Sequence, residues 1–147
     1  MINLNVNLKG EIMIILKKAQ LESIIDYARK NLPDEACGLL GGYIKNNERT
    51  VEKVFFLTNT DHSPEHFSMD PKEQFAAVKD MRKHGYALLG NFHSHPASPA
   101  RPSVEDKRLA FDPSISYLIL SLAEKDPVLK SFKIENKNSQ EESITIL

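Results

Sequence analysis

The sequence of 147 residues has a single cysteine, Cys37, so it cannot form an intramolecular disulfide framework. It also lacks an excess of positive charge, since 19 Lys and Arg stand against 20 Asp and Glu and the formal net charge is -1. A nucleic-acid-binding protein would need a clustered basic excess, so this class of partner is disfavoured. No stretch approaches the roughly 20 consecutive apolar residues of a membrane-spanning helix.

The N-terminal segment "MINLNVNLKGEIMIILKK" lacks the basic region and the long apolar core of a secretory signal. The lone cysteine agrees with a reducing compartment. We therefore expect a cytoplasmic enzyme or adaptor without a membrane or nucleic-acid partner. The length suits one domain. Because a strand-helix pattern begins at Met13, we expect residues 1–12 to be an N-terminal extension and residues 13–147 to form the domain.

Apolar periodicity predicts an alternation of strands and helices. The predicted strands are "IMIILKK", "EACGLLGGYI", "RTVEKVFFLTN", "YALLGNFHSH", "SISYLILSL", "KSFKIEN" and "ESITIL", and the predicted helices are "KAQLESIIDYARKNL", "DPKEQFAAVKDMRKHG" and "SVEDKRLAF". We expect the second and third strands to form a hairpin with its turn at Gly41 and Gly42. Asp70 is a candidate N-cap of the second helix, and Gly85 follows its end. This order of elements indicates an α/β or α+β sheet packed between helices.

Two histidines, His93 and His95, stand at the end of one predicted strand. Residues two apart in a strand point to the same face, so the two imidazoles project together. Asp106, on the following helix, could return to supply a third ligand. Two histidines and a carboxylate are a catalytic zinc set in which water occupies the fourth position.

A second interpretation of the same residues involves no metal. Ser103 and Asp106 also match an N-cap followed by an acid at the third helical position, which is a form of the capping box. Two histidines separated by one residue also occur on ordinary surfaces. The local pattern alone leaves the metal site and the simple helix cap as equal alternatives.

The segment "HSHPASPARPSVED" resembles the JAMM signature of the MPN family of zinc metallopeptidases: H-x-H-P, then Pro-Ser, then an aspartate with ten residues between it and the second histidine. Upstream, "PDEACGLLGG" resembles the part of the signature in which a glutamate opens the second strand. The resemblance extends from about Met13 to Leu122. It implies a single MPN-like domain with a central, mostly antiparallel sheet flanked by helices.

The resemblance also implies a role for each matching residue. His93, His95 and Asp106 would bind one Zn²⁺ per chain, and Glu35 and Ser103 would complete the catalytic site. Glu35 would shuttle protons, since a carboxylate beside apolar neighbours tends to have a raised pKa. Ser103 would donate its hydroxyl to the oxyanion of the tetrahedral intermediate.

Other residues near the signature have plainer interpretations. We expect Cys37 to be a small buried packing residue near the site. Asn91 and Phe92 occupy positions where members of the family often carry tryptophan or tyrosine. This departure alters the expected cleft and leaves the chemistry in place.

The family cleaves peptide or isopeptide bonds, often after the C-terminal Gly-Gly of ubiquitin or a ubiquitin-like protein. The interval between Asp106 and the strand at Ser116 is too short for a ubiquitin-holding insertion, so the chain resembles the compact prokaryotic members. The leading hypothesis is a zinc metallopeptidase whose partner is a small ubiquitin-like or sulfur-carrier protein. The alternatives are a deconjugating isopeptidase for a ubiquitin-like modifier and a non-catalytic interaction module. The sequence does not indicate the oligomeric state.

Overall fold

The computed structural model describes residues 10–147 of the chain. Their elements, in chain order, are β1 (Met13–Leu16), α1 (Lys18–Asn31), β2 (Cys37–Lys45), β3 (Glu48–Leu57), α2 (Pro71–His84), β4 (Ala87–His95), α3 (Val104–Leu109), β5 (Ser116–Ser121), β6 (Val128–Glu135) and β7 (Asn138–Ile146). Of the expected extension 1–12, residues 1–9 lie outside the described part of the chain. None of the described helices has the length and apolar character needed to cross a membrane.

The seven strands form one closed barrel in the order β1-β3-β2-β4-β5-β6-β7. Strand β1 closes it, because β1 pairs in parallel with both β3 and β7. The pairs β2–β3, β2–β4, β5–β6 and β6–β7 are antiparallel, and β4–β5 is parallel. The α+β class and the mostly antiparallel sheet are therefore confirmed, whereas closure of the sheet has no counterpart in the sequence pattern.

Helix α2 begins and ends as its sequence predicts. The Asp70 side chain accepts hydrogen bonds from the backbone N–H groups of Lys72 and Glu73, at 2.9 and 3.3 Å, and Pro71 occupies the first turn. These bonds satisfy donors that the first helical turn leaves free. Gly85 ends the helix with φ 71°, a left-handed conformation that costs glycine little.

The two faces of the barrel wall have different neighbours. One face packs against α1, in a cluster that includes Ile24, Leu40 and Leu118. The other face packs against α2, in a cluster that includes Leu39 and Met81. Because successive strand residues alternate between these faces, neighbours such as Leu39 and Leu40 contribute to different clusters.

The prediction of a hairpin turn at Gly41 and Gly42 is wrong. Both glycines lie inside β2, where the pairing with β3 shifts register between them. The hairpin instead turns after Lys45, where Asn46 has φ 56°. Asparagine tolerates this left-handed conformation, whereas the glycine pair marks a bulge in the strand.

The glycines of β2 allow a direct test of how tightly the barrel is packed. A Cβ on Gly38 would overlap the carbonyl oxygen of Phe55 and the ring of Phe92, whereas a Cβ on Gly41 would meet only flexible or aromatic side-chain atoms, the nearest being Met81 Cγ at 3.1 Å. We expect Gly38→Ala to lower the free energy of unfolding by about 1–3 kcal/mol, the usual cost of overpacking. Gly41→Ala is the matched control and should cost clearly less. Equal losses for the two variants in chemical denaturation would contradict the packing described here.

Candidate metal centre

Strand β4 presents two histidines at its C-terminal end. His93 and His95 are both buried, with 3% and 4% of their surface exposed. Phe92, which directly precedes His93, points to the opposite face and belongs to the cluster packed on α1. The alternation that the sequence predicts therefore places both imidazoles on one face, where their Nε2 atoms lie 3.1 Å apart.

Helix α3 carries Asp106, the third candidate ligand, and places its side chain next to the two histidines. Asp106 Oδ2 lies 3.2 Å from His93 Nε2 and 3.1 Å from His95 Nε2. The same oxygen accepts a hydrogen bond from the backbone N–H of Ser103 at 2.9 Å. Among the residues described, His93, His95 and Asp106 form the one group of three potential ligands that can hold a metal ion.

The hydrogen bonds around His95 leave a lone pair at the centre of the cluster. His95 Nδ1 lies 2.8 Å from the carbonyl oxygen of Pro99, which can only accept, so Nδ1 carries the proton. In the neutral ring, Nε2 is then an acceptor that faces His93 Nε2 and the carboxylate of Asp106. His95 Nε2 and the Asp106 carboxylate are thus acceptors directed at one point, an arrangement that a divalent metal ion would satisfy, so the donor set fits such an ion.

Burial and hydrogen bonds shift the pKa values of all three side chains, and for His93 and Asp106 the shift favours the form that binds a metal. Burial lowers the pKa of His93, which favours its neutral ring. Burial also lowers the pKa of His95, but hydrogen bonds to Asp106 and Pro99 outweigh it and leave this pKa raised. Although burial raises the pKa of Asp106, its hydrogen bonds to the two histidines hold that pKa well below its ordinary value. Asp106 is therefore ionised, and its charge is available to a cation.

Glu35 lies two residues before β2, and not within the strand as its sequence pattern suggested. Cys37 pairs with His93 in the antiparallel contact of β2 with β4, and the pairing continues through the hydrogen bond from Ser94 N to Ala36 O at 2.9 Å. Two residues further along this register, Glu35 stands opposite His95. Thus the glutamate and the histidine pair come together although they are far apart in sequence.

The Glu35 carboxyl group is buried, with 3% of the residue exposed. Its Oε1 has no hydrogen-bond partner within residues 10–147. Burial raises the pKa of Glu35 to about 8. A carboxyl group with this pKa exchanges protons near neutral pH, which is the property required of a general acid or base.

Ser103 forms the capping box that the sequence suggested. Its Oγ accepts a hydrogen bond from Asp106 N at 3.0 Å, while Asp106 Oδ2 accepts one from Ser103 N. The cap uses a lone pair of the hydroxyl and leaves its hydrogen free to be donated. The residue is exposed to solvent. The cap and a second role as donor are therefore compatible.

A cavity of about 340 Å³ opens beside the cluster. Residues 66–69 line it from one side, and Glu105, Leu109 and Phe111 line it from the other. His93 and Asp106 also contribute to the lining, so a molecule in the cavity reaches the candidate ligands. Its mixture of apolar walls and a few polar groups is typical of a ligand site.

Three further residues of the site lie outside the set of ligands and catalytic residues expected from the sequence. Asn59 donates to the backbone carbonyl of Glu35 at 3.0 Å, and Phe67 stacks on His93 with ring centroids 4.7 Å apart. Asn91 lines the cavity, and its buried Oδ1 lacks a hydrogen-bond partner in the described part of the protein. Asn59 and Phe67 precede the signature in a loop without regular spacing, so only the tertiary structure reveals them.

Comparisons with known proteins agree with the fold. The family model described as prokaryotic homologues of the JAB domain matches residues 17–135. The CysO-cysteine peptidase of Mycobacterium tuberculosis is 31% identical over 143 residues, which cover 95% of both chains. The desampylase of Pyrococcus furiosus is 40% identical over 72 residues, or 49% of each chain. The solution structure of a protein from Desulfitobacterium hafniense is 62% identical, with a TM-score of 0.85 over 92% of this chain and 93% of the other.

The convergence of three ligand atoms predicts the metal content of the purified protein. We expect close to one divalent metal ion per chain, and we expect His95→Ala to lose most of it, because two ligands hold a metal far less tightly than three. His84→Ala is the control, since His84 is exposed at the end of α2. Elemental analysis that finds the same metal content in all three proteins would refute the site.

Proposed function

The chain belongs to the prokaryotic JAB family of the JAMM metallopeptidases, and we propose that it is a zinc peptidase for a small ubiquitin-like or sulfur-carrier protein. It hydrolyses the peptide or isopeptide bond that follows the C-terminal Gly-Gly of this partner. One observation carries the proposal: three metal-ligand atoms lie within hydrogen-bonding distance of each other, and the buried carboxyl group of Glu35 stands beside them.

In this proposal His93, His95 and Asp106 hold one Zn²⁺ per chain. The neutral imidazoles and the ionised carboxylate are a donor set that suits zinc and leaves a position for water. When bound, the ion polarises the scissile carbonyl group and lowers the pKa of nearby water. The hydrogen bond from His95 Nδ1 to Pro99 O fixes the ring that presents Nε2.

Glu35 acts as the general acid and base. Its carboxylate takes a proton from the attacking water and gives it to the departing amine. Burial raises the pKa of Glu35 to about 8, so the carboxyl group holds a proton readily. Its unpartnered Oε1 is free for both transfers.

Ser103 stabilises the charge that develops on the carbonyl oxygen. Its hydroxyl hydrogen is not used by the helix cap, and its backbone is fixed by the capping box. A hydrogen-bond donor that is held in place before the reaction stabilises the transition state more than a mobile donor does, because it loses no conformational freedom when the oxyanion forms.

The proposed substrate class is supported by the two peptidase relatives and by the shape of the cleft. One relative is named for CysO-cysteine, and the other is named a desampylase. The cavity beside the ligands is open at the surface and bordered by exposed apolar side chains, of which Phe111 is 83% exposed. An extended C-terminal tail can enter such a cleft, whereas a folded domain cannot.

The same relatives favour a second candidate, a deconjugating isopeptidase. The two functions differ in the bond after the Gly-Gly, which is an α-peptide bond in one case and a lysine ε-amide in the other. A carrier protein that ends in Gly-Gly-Cys should be compared with the same carrier joined to a lysine side chain. Cleavage of the first alone supports the leading proposal, cleavage of the second supports the alternative, and cleavage of neither by zinc-loaded protein would refute both.

Replacement of Glu35 by glutamine tests the proton-transfer role. Glu35→Gln keeps the shape of the side chain and removes the base, so we expect zinc to be retained while turnover falls by about 10²–10⁴, the usual contribution of general acid–base catalysis. Glu65→Gln removes an exposed carboxylate from the neighbouring loop and serves as the control. Normal turnover of Glu35→Gln would leave Glu35 with a structural role only.

Two replacements of Ser103 separate the helix cap from the hydroxyl donor. Ser103→Ala removes both and should cost about 1 kcal/mol of stability together with about 10²–10³ in turnover. Ser103→Asp keeps a good cap but places a negative charge where the oxyanion forms, so this variant should be stable, bind zinc and remain inactive. Thermal unfolding and turnover are measured on both. Should the aspartate variant regain activity as well as stability, the serine is a cap and nothing more.

A further inference from the structure

The two histidines of the cluster are held in different ways. His95 Nδ1 has the carbonyl oxygen of Pro99 at 2.8 Å, whereas His93 Nδ1 is buried with no hydrogen-bond partner in residues 10–147. A histidine that binds a metal is normally oriented by a hydrogen bond from its second nitrogen. His93 lacks this support, although both rings are buried.

A phenyl ring occupies the position next to His93. Phe67 stacks on the imidazole with the ring centroids 4.7 Å apart and the planes inclined by 26°. This separation is typical of an attractive aromatic contact. Phe67 and His93 both line the cavity, and a ring stacked on an imidazole restricts the rotation of that imidazole.

The segment that carries Phe67 is itself fixed to the site. The carboxamide of Asn59 donates to the carbonyl oxygens of Glu35 and His66, at 3.0 and 3.1 Å, and accepts from the backbone N–H groups of Asp61 and Ser68. An isolated bridge between Asn59 and Met69 closes the same segment. Phe67 therefore lies between two backbone positions that Asn59 holds, so its ring is not a mobile loop side chain.

We propose that Phe67 is the positioning residue for His93, and that its stacked ring replaces the hydrogen bond that orients the other histidine. The inference rests on the proposed metal site and adds a residue outside the signature. Loss of the ring frees χ2 of His93, so a larger entropy loss accompanies metal binding and the affinity falls. The consequence appears in the metal affinity itself, before any substrate is present.

The test measures zinc affinity by competition with a chromophoric chelator. Phe67→Ala should bind zinc about 10–100-fold more weakly than the wild type, as expected when the support of a ligand is removed. Phe67→Tyr keeps the ring and should restore the affinity. Phe111→Ala is the matched control, because Phe111 lines the same cavity, whereas the rings paired with His93 in the described residues are those of Phe67 and His95.

A further variant separates stacking from loss of the fold. Phe67→Leu keeps an apolar side chain in the cavity but lacks a planar face, and we expect it to weaken zinc binding as Phe67→Ala does, with unfolding of the metal-free protein little changed. Wild-type affinity in Phe67→Leu, or an equal loss in Phe111→Ala, would overturn the role of Phe67 and leave the metal site intact. Absence of zinc binding by the wild type would instead remove the proposed function as well.

Discussion

The backbone pairing of Ala36 with Ser94 is the contact on which the candidate site depends. Ser94 N donates to Ala36 O at 2.9 Å, and Ala36 N donates to Ser94 Oγ at 2.8 Å, across 58 positions of sequence. This register sets Glu35 opposite His95. A slip of one residue would reverse every side chain of the strand and turn Glu35 away from the histidines. The pairing of β2 with β3 on one side and with β4 on the other opposes such a slip.

The third candidate ligand depends on a different constraint, the start of a short helix. Helix α3 has six residues and no buried side chain, so packing alone would hold it weakly. The capping box of Ser103 and the contacts of Asp106 with both histidines fix its first turn. The Oδ2 atom of Asp106 thus takes part both in the helix cap and in the cluster of potential metal ligands.

Unsatisfied buried atoms are concentrated around this cluster. Among the described residues, the buried side-chain atoms without a hydrogen-bond partner are Glu35 Oε1, Asn91 Oδ1, His93 Nδ1 and Glu142 Oε1. Each costs about 1–3 kcal/mol of stability. Three of these four atoms belong to the cluster or its cavity, and Glu142 Oε1 lies apart from them on β7. The buried Arg49 shows the opposite pattern, because its guanidinium donates to Leu89 O, Ser114 O and Ser116 Oγ. Groups left without partners in a fold that otherwise provides them are expected where a ligand is bound.

The sequence by itself determined the elements and the signature residues, because strand alternation, helix caps and the H-x-H spacing are local properties. It therefore placed His93 and His95 on one face and Asp70 at the start of α2. It misplaced the turn of the β2–β3 hairpin, since glycine signals a bulge as readily as a turn. Three features are visible only in the tertiary structure: the closure of the barrel through β1, the position of Glu35 beside β4, and the stacking of Phe67 on His93. These contacts join segments distant in sequence, and pairing between such segments is decided by the packing of the whole barrel rather than by any local pattern.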